Sequence, residues 1–100
     1  MDLVYDLLQK IKMKSGMYLA ERNIHYLYYF IHGYMLNFYD NDLWYKCCLD
    51  GFNEFVRAYY NAPLYTWSWA RIILNYTNSP EEAFDRFYEL FGSYMSQKEV

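Results

Sequence analysis

No Asp, Glu, Lys or Arg occurs between Arg22 and Asp40. The uncharged run, Asn23 to Tyr39, is too short to span a bilayer comfortably, and its His25, His32, Gly33, Asn37 and several tyrosines suit protein surroundings better than lipid. Its apolar positions keep helical spacing: Ile24, Leu27, Tyr28, Ile31, Tyr34, Met35 and Phe38 form one stripe. The other faces, His25–Tyr29–His32–Leu36 and Tyr26–Phe30–Gly33–Asn37, carry no charge either. A helix that is uncharged all round reads as a buried helix. This segment is therefore expected to be the centre of the fold, with Gly33 marking a close helix crossing.

The rest of the chain supplies partners for it. Leu3, Val4, Leu7, Leu8 and Ile11 form one helical face, with Asp2 as its N-cap and Ser15-Gly16 as its stop, Gly16 in a left-handed C-terminal position. Met17–Arg22 reads as an anchored connector, and Asn23 as a cap. A short helix is expected over Leu43–Leu49, followed by an Asp50-Gly51 turn. Phe52, Phe55, Val56, Tyr59 and Tyr60 predict the next helix, broken by Asn61-Ala62-Pro63. Thr66 or Ser68 caps a helix that buries Trp69, Ile72, Ile73 and Tyr76. In Ser79-Pro80-Glu81-Glu82, Ser79 caps, Pro80 takes the first helical position, and Glu82 completes a capping box. No alternating strand pattern or repeat is present. The prediction is an all-α fold: one domain over residues 1–100, a bundle of about five helices around a buried central helix.

Composition narrows the function classes. Of 100 residues, 24 are aromatic, and 14 of those are tyrosine. The net charge of −3 and pI near 5.2 argue against nucleic-acid binding, which normally shows a basic stripe. The start of the chain has no signal-peptide pattern, so a cytoplasmic location with reduced cysteines is expected. Catalytic and metal signatures fail on spacing. His25 and His32 are seven apart with no third ligand placed, and Cys47-Cys48 are adjacent rather than in a C-x-x-C motif. Asp40-Asn41-Asp42 opens like a calcium loop but continues Leu43-Trp44-Tyr45, without ligands. No phosphate loop or nucleophile elbow occurs. No enzyme activity, cofactor, metal or disulfide is expected.

Surface character remains. Asp40, Asp42, Asp50 and Glu54 form one acidic group, and Glu81, Asp85 and Glu89 form an i, i+4, i+8 ridge. Such ridges are either solvated faces or surfaces aimed at a basic partner. Glu82 and Arg86 are spaced to pair. So many aromatic rings exceed what a small bundle buries, and Tyr39, Trp44, Tyr45, Tyr65 and Trp67 are the ones expected at the surface. Beside acids they have the composition of a binding hot spot. Equally, they fit as a lid over the core.

Several motifs recur in a known order: Lys14-Ser15-Gly16-Met17-Tyr18-Leu19, then Ile24, Leu27, Phe30-Ile31 and Gly33-Tyr34, Gly51-Phe52 with Phe55-Val56, Ser68-Trp69 with Ile72-Ile73, and Glu82-Ala83-Phe84 with Phe87 and Leu90. In these the chain resembles the immunity proteins of bacterial contact-dependent growth inhibition, which are encoded beside polymorphic toxins. The family pattern carries Pro where this chain has Ser15 and Gly where it has Ala20. The resemblance implies a non-enzymatic inhibitor that binds a cognate toxin domain 1:1 and covers its active site or substrate surface. Many such toxins are nucleases with basic clefts. The resemblance assigns no contact residues. The candidates come from the acidic and aromatic patches: Asp40, Asp42, Trp44, Tyr45, Asp50, Glu54, Trp67, Glu81, Asp85 and Glu89. The alternative is a helical regulatory or adaptor module acting by protein–protein contact or self-association. Neither reading involves nucleic acid or membrane.

Overall fold

The computed structural model describes residues 3–40, 47–63 and 68–98, with the side chains of Tyr39 and Asp40 outside that description. Six helices occur among the described residues, with no strand: α1 Leu3–Met13, α2 Ser15–Leu19, α3 Ile24–Asp40, α4 Phe52–Tyr60, α5 Trp69–Asn75 and α6 Pro80–Lys98. They form one all-α domain.

The helix starts follow local chemistry. The Asn23 carboxamide accepts from the His25 and Tyr26 N–H groups at 2.9 and 3.4 Å, opening α3. Ser68 Oγ accepts from Arg71 N–H and opens α5. Ser79 Oγ accepts from Glu82 N–H at 3.0 Å, and α6 begins at Pro80. The Glu82 carboxylate reaches back one residue further than a capping box requires, to Asn78 N–H and its side-chain amide.

Two local expectations change. Gly16 does not terminate α1 in a left-handed conformation. It lies inside the one-turn helix α2, and the left-handed side of φ is taken by Ala20 (φ 71°) after α2 ends. Cys47–Asp50 is a turn, not the end of a helix, and the remainder of the helix expected over Leu43–Leu49 lies outside the described residues.

The central helix is α6, not α3. It buries Ala83, Phe84, Phe87, Tyr88, Leu90 and Phe91 and packs against α3, α4 and α5. It also holds α1, where Tyr88 Oη donates to the Leu8 carbonyl at 2.6 Å and Tyr5 meets Phe91. Phe52, fully buried at the start of α4, contacts Phe87, Phe91, Tyr94 and Trp69 at ring-centroid distances of 5.5 to 6.0 Å. Its neighbour Gly51 has φ 88°, and a Cβ there would lie 2.6 Å from Tyr94 Oη, which donates to the Asp50 carbonyl. Glycine is required at this point by both conformation and space.

Helix α3 buries only Ile24, Leu27 and Ile31 fully, while His25, Tyr26, Tyr29, His32, Leu36 and Asn37 are exposed. Absence of charge does not equal burial when the outer face is tyrosine, histidine and asparagine, residue types whose polar ends suit contact with water. Conversely, the charges of α6 from Glu81 to Glu89 are confined to one side and leave the other apolar. Among the described residues, no helix is long and apolar enough to cross a membrane.

Candidate interaction surface

One shoulder of α3, running from His25 through Tyr28, Tyr29, His32 and Met35 to Leu36, borders two open cavities. The first, about 260 Å³, is closed on its far side by Ser68, Ala70 and Arg71 of α5. The second, about 250 Å³, lies between His32, Met35 and Leu36 and the turn residues Cys47, Leu49 and Asp50, with Ile31 and Trp69 also in its lining. Tyr28 links them: its ring centroid is 4.1 Å from that of His32 and 5.4 Å from that of Trp69. Together they make a trough beside α3.

Its walls are fixed by hydrogen bonds. Trp69 N–H donates to Asn53 Oδ1 at 2.8 Å, tying the start of α5 to α4. Cys47 N–H donates to Asp50 Oδ2 at 3.1 Å, and Tyr94 holds the Asp50 carbonyl. The lining is aromatic and aliphatic, with one carboxylate (Asp50) and one guanidinium (Arg71) on the wall opposite α3. This is recognition chemistry: rings that give contact area at low entropic cost, edged by groups that fix orientation.

Among the described residues, the acids of the α6 ridge are paired with arginines. On α6, Glu81 and Asp85 grip Arg22, which precedes α3: Arg22 Nη2 lies 2.6 Å from Glu81, and Nη1 lies 2.7 and 2.9 Å from the two Asp85 oxygens. Glu89 pairs with Arg86 at 3.2 Å, in place of the Glu82–Arg86 pair expected from spacing. Two guanidiniums thus meet three carboxylates, and the ridge keeps little free negative charge. Asp50 caps its own turn, and Glu54 edges a separate cavity of about 330 Å³ with Arg57, Ala58, Asn61 and Ala62. Glu81 is thirteen residues from Tyr94, the α6 residue that meets Asp50, or roughly 20 Å along the axis. Asp42, Trp44, Tyr45 and Trp67 lie outside the described residues, as does the Asp40 side chain.

Of the expected site residues that are described, the structure brings only Asp50 to the trough. The α3 residues were missed because they were assigned to the core. The available signal was the excess of polar-tipped rings on α3. Among the described residues, no group of three or more His, Cys, Asp or Glu is placed to hold a metal ion. Cys47 and Cys48 are both buried. Burial pushes the Tyr88 hydroxyl well above the ordinary tyrosine value, and Tyr60 shifts the same way for the same reason, opposed by the Arg86 guanidinium beside it.

Comparison of the chain with protein-family models, with curated proteins and with solved structures gives no match.

Proposed function

We propose that this chain is an immunity-type inhibitor, a non-catalytic cytoplasmic protein that neutralises a cognate toxin domain by binding it 1:1. The observation that carries this reading is the trough beside α3: an uncharged wall of tyrosine and histidine, open to solvent, on walls held rigid by hydrogen bonds. Surfaces of this kind bind protein with little rearrangement. The sequence resemblance names the partner class, and it rests on scaffold positions such as Leu19, Leu27, Phe52, Ile72 and Phe87, all of which are buried. The contacts with the toxin fall on the trough first, with the acidic residues as its electrostatic rim. Asp50, in the lining of the trough, is better placed for that role than Glu81 and Asp85, which already hold Arg22. A basic, nuclease-like toxin remains the expected partner.

The test is co-expression with the toxin domain encoded beside this gene, scored by survival and by isolation of a 1:1 complex. Tyr29→Ala and His32→Ala should each weaken binding, by about tenfold or more at a hot-spot position. Unimpaired killing with no complex overturns the reading. Full protection by a Tyr29→Ala/His32→Ala double variant would move the contact surface away from the trough.

A further inference from the structure

At Gly33, on the outer face of α3, an added Cβ would meet no atom within 4 Å, so the close crossing expected there is not made within the described chain. Nothing at that glycine selects an occupant. The cavity of about 250 Å³ at the Asp50 end of the trough does select one, because its lining is apolar with a single carboxylate. Ile31 and Trp69, both buried, belong to that lining, and Met35, Leu36 and Leu49 extend it. No Lys or Arg is among the described lining residues. The Asp50 carboxylate is held in place: its Oδ2 accepts from Cys47 N–H at 3.1 Å, and its backbone carbonyl accepts from the Tyr94 hydroxyl. Arginines hold Glu81, Asp85 and Glu89, but Asp50 has no ion pair among the described residues.

We propose that this cavity receives a lysine side chain of the protein that binds the trough. The owner of the lysine rests on the immunity reading; the chemistry of the cavity does not. A side chain that fits here needs an apolar stem and a cationic end, which Lys and Arg combine. Lysine fits better. Its ammonium is a compact charge that needs one acceptor, and Oδ1 offers it. The arginine fork bonds both carboxylate oxygens, and Oδ2 already serves the Cys47 N–H. Trp69 adds the ring type that most attracts a cation. A wholly apolar anchor would strip water from Asp50 and return no bond, and an acidic one would be repelled. The volume lies below the roughly 300–1,000 Å³ of small-molecule sites, and the cavity opens into the trough, so it suits one side chain of a larger partner.

The first test needs no toxin. The full chain is titrated with Nα-acetyl-lysine methylamide while NMR follows the amides of Cys47 to Gly51 and the Trp69 indole. Saturable shifts confined to these groups are expected, with a dissociation constant of about 1–100 mM. The norleucine analogue, which keeps the stem and lacks the charge, should bind about fivefold more weakly or worse. Asp50→Asn keeps an oxygen for the Cys47 N–H and removes the charge, so it should abolish the preference for lysine, and its spectrum shows whether the turn is intact. The second test uses the toxin domain encoded beside this gene. Asp50→Asn should raise the dissociation constant of that complex about tenfold. One toxin lysine shielded from acetylation in the parent complex should become reactive with the variant. Equal binding of the lysine and norleucine probes overturns the proposal. So do shifts that map elsewhere, a toxin complex indifferent to Asp50→Asn, or self-association that covers these amides without any probe. Lysine-selective shifts without a toxin complex would support the cavity's chemistry and overturn the immunity reading.

Discussion

Two backbone positions show what a single residue costs in this fold. Ala20 is held at φ 71° just after α2. That region disfavours a Cβ. Ala20→Gly relieves the strain and gives back part of the gain as unfolded-chain entropy, so a net stabilisation of about 0.5–1 kcal/mol is expected in urea unfolding. Gly51 is the opposite case. Gly51→Ala adds a methyl both at a positive φ and against the Tyr94 hydroxyl, and should cost about 2 kcal/mol or more. Adding Tyr94→Phe should recover only part of this, because it removes the clash and leaves the dihedral strain. A Gly51→Ala protein as stable as the parent would show that the turn is not the rigid support described above. Ala20 also shows a limit of sequence reading. Nothing in Leu19-Ala20-Glu21 marks a positive φ, and Gly16, which looked suited to one, is helical.

At the scale of elements, the division of labour between α3 and α6 sets the expected mutational profile. Phe87→Ala in α6 removes a fully buried ring and should cost about 3–5 kcal/mol. Tyr29→Ala in α3 should change monomer stability by no more than about 0.5 kcal/mol. Tyr88 adds a pH signature. Its hydroxyl is buried and donates to Leu8, so the folded state holds this proton more tightly than the unfolded state does. Below pH 10 both states are protonated and the stability is fully present. Above it the unfolded tyrosine ionises first, and stability falls by up to about 1.4 kcal/mol per pH unit for this group. Tyr88→Phe should remove that share of the alkaline slope, which denaturant unfolding at pH 9, 10 and 11 will read. The element starts were legible because Asn23, Ser68 and Ser79-Pro80 act through bonds to residues two or three positions away. The placement of α3 was not legible, because tyrosine satisfies core and water alike. Choosing between them depends on how many apolar faces compete for the same interior, and α6 won with six buried residues on one side.

For the whole molecule, the Arg22 clamp couples fold to surface charge. It joins the segment before α3 to the first turns of α6 through carboxylates that are half or more exposed. Exposed pairs of this kind contribute little, so Arg22→Ala should change stability by less than about 1 kcal/mol. It should instead uncover Glu81 and Asp85 and, if the proposed toxin partner is basic, speed that association several-fold at low salt, an effect lost as salt rises. Stopped-flow association at low and high ionic strength measures it. An unchanged rate would place this end of α6 outside the encounter surface. The acidic ridge was visible in the sequence. Its neutralisation was not, since Arg22 lies about sixty residues away and only the packing of α6 beside α3 brings them together.

The bond from Tyr88 to Leu8 also has a meaning in time. Its partners are separated by 80 positions, and Tyr5 and Phe91 are joined over a similar span. During synthesis at about 5–20 residues per second, α1 waits roughly 4 to 16 seconds for the helix that covers it. Until then Val4, Leu8 and Ile11 have α2 beside them but lack α6. A nascent chain that has not yet reached α6 thus leaves uncovered the side of α1 that Tyr88 and Phe91 later meet.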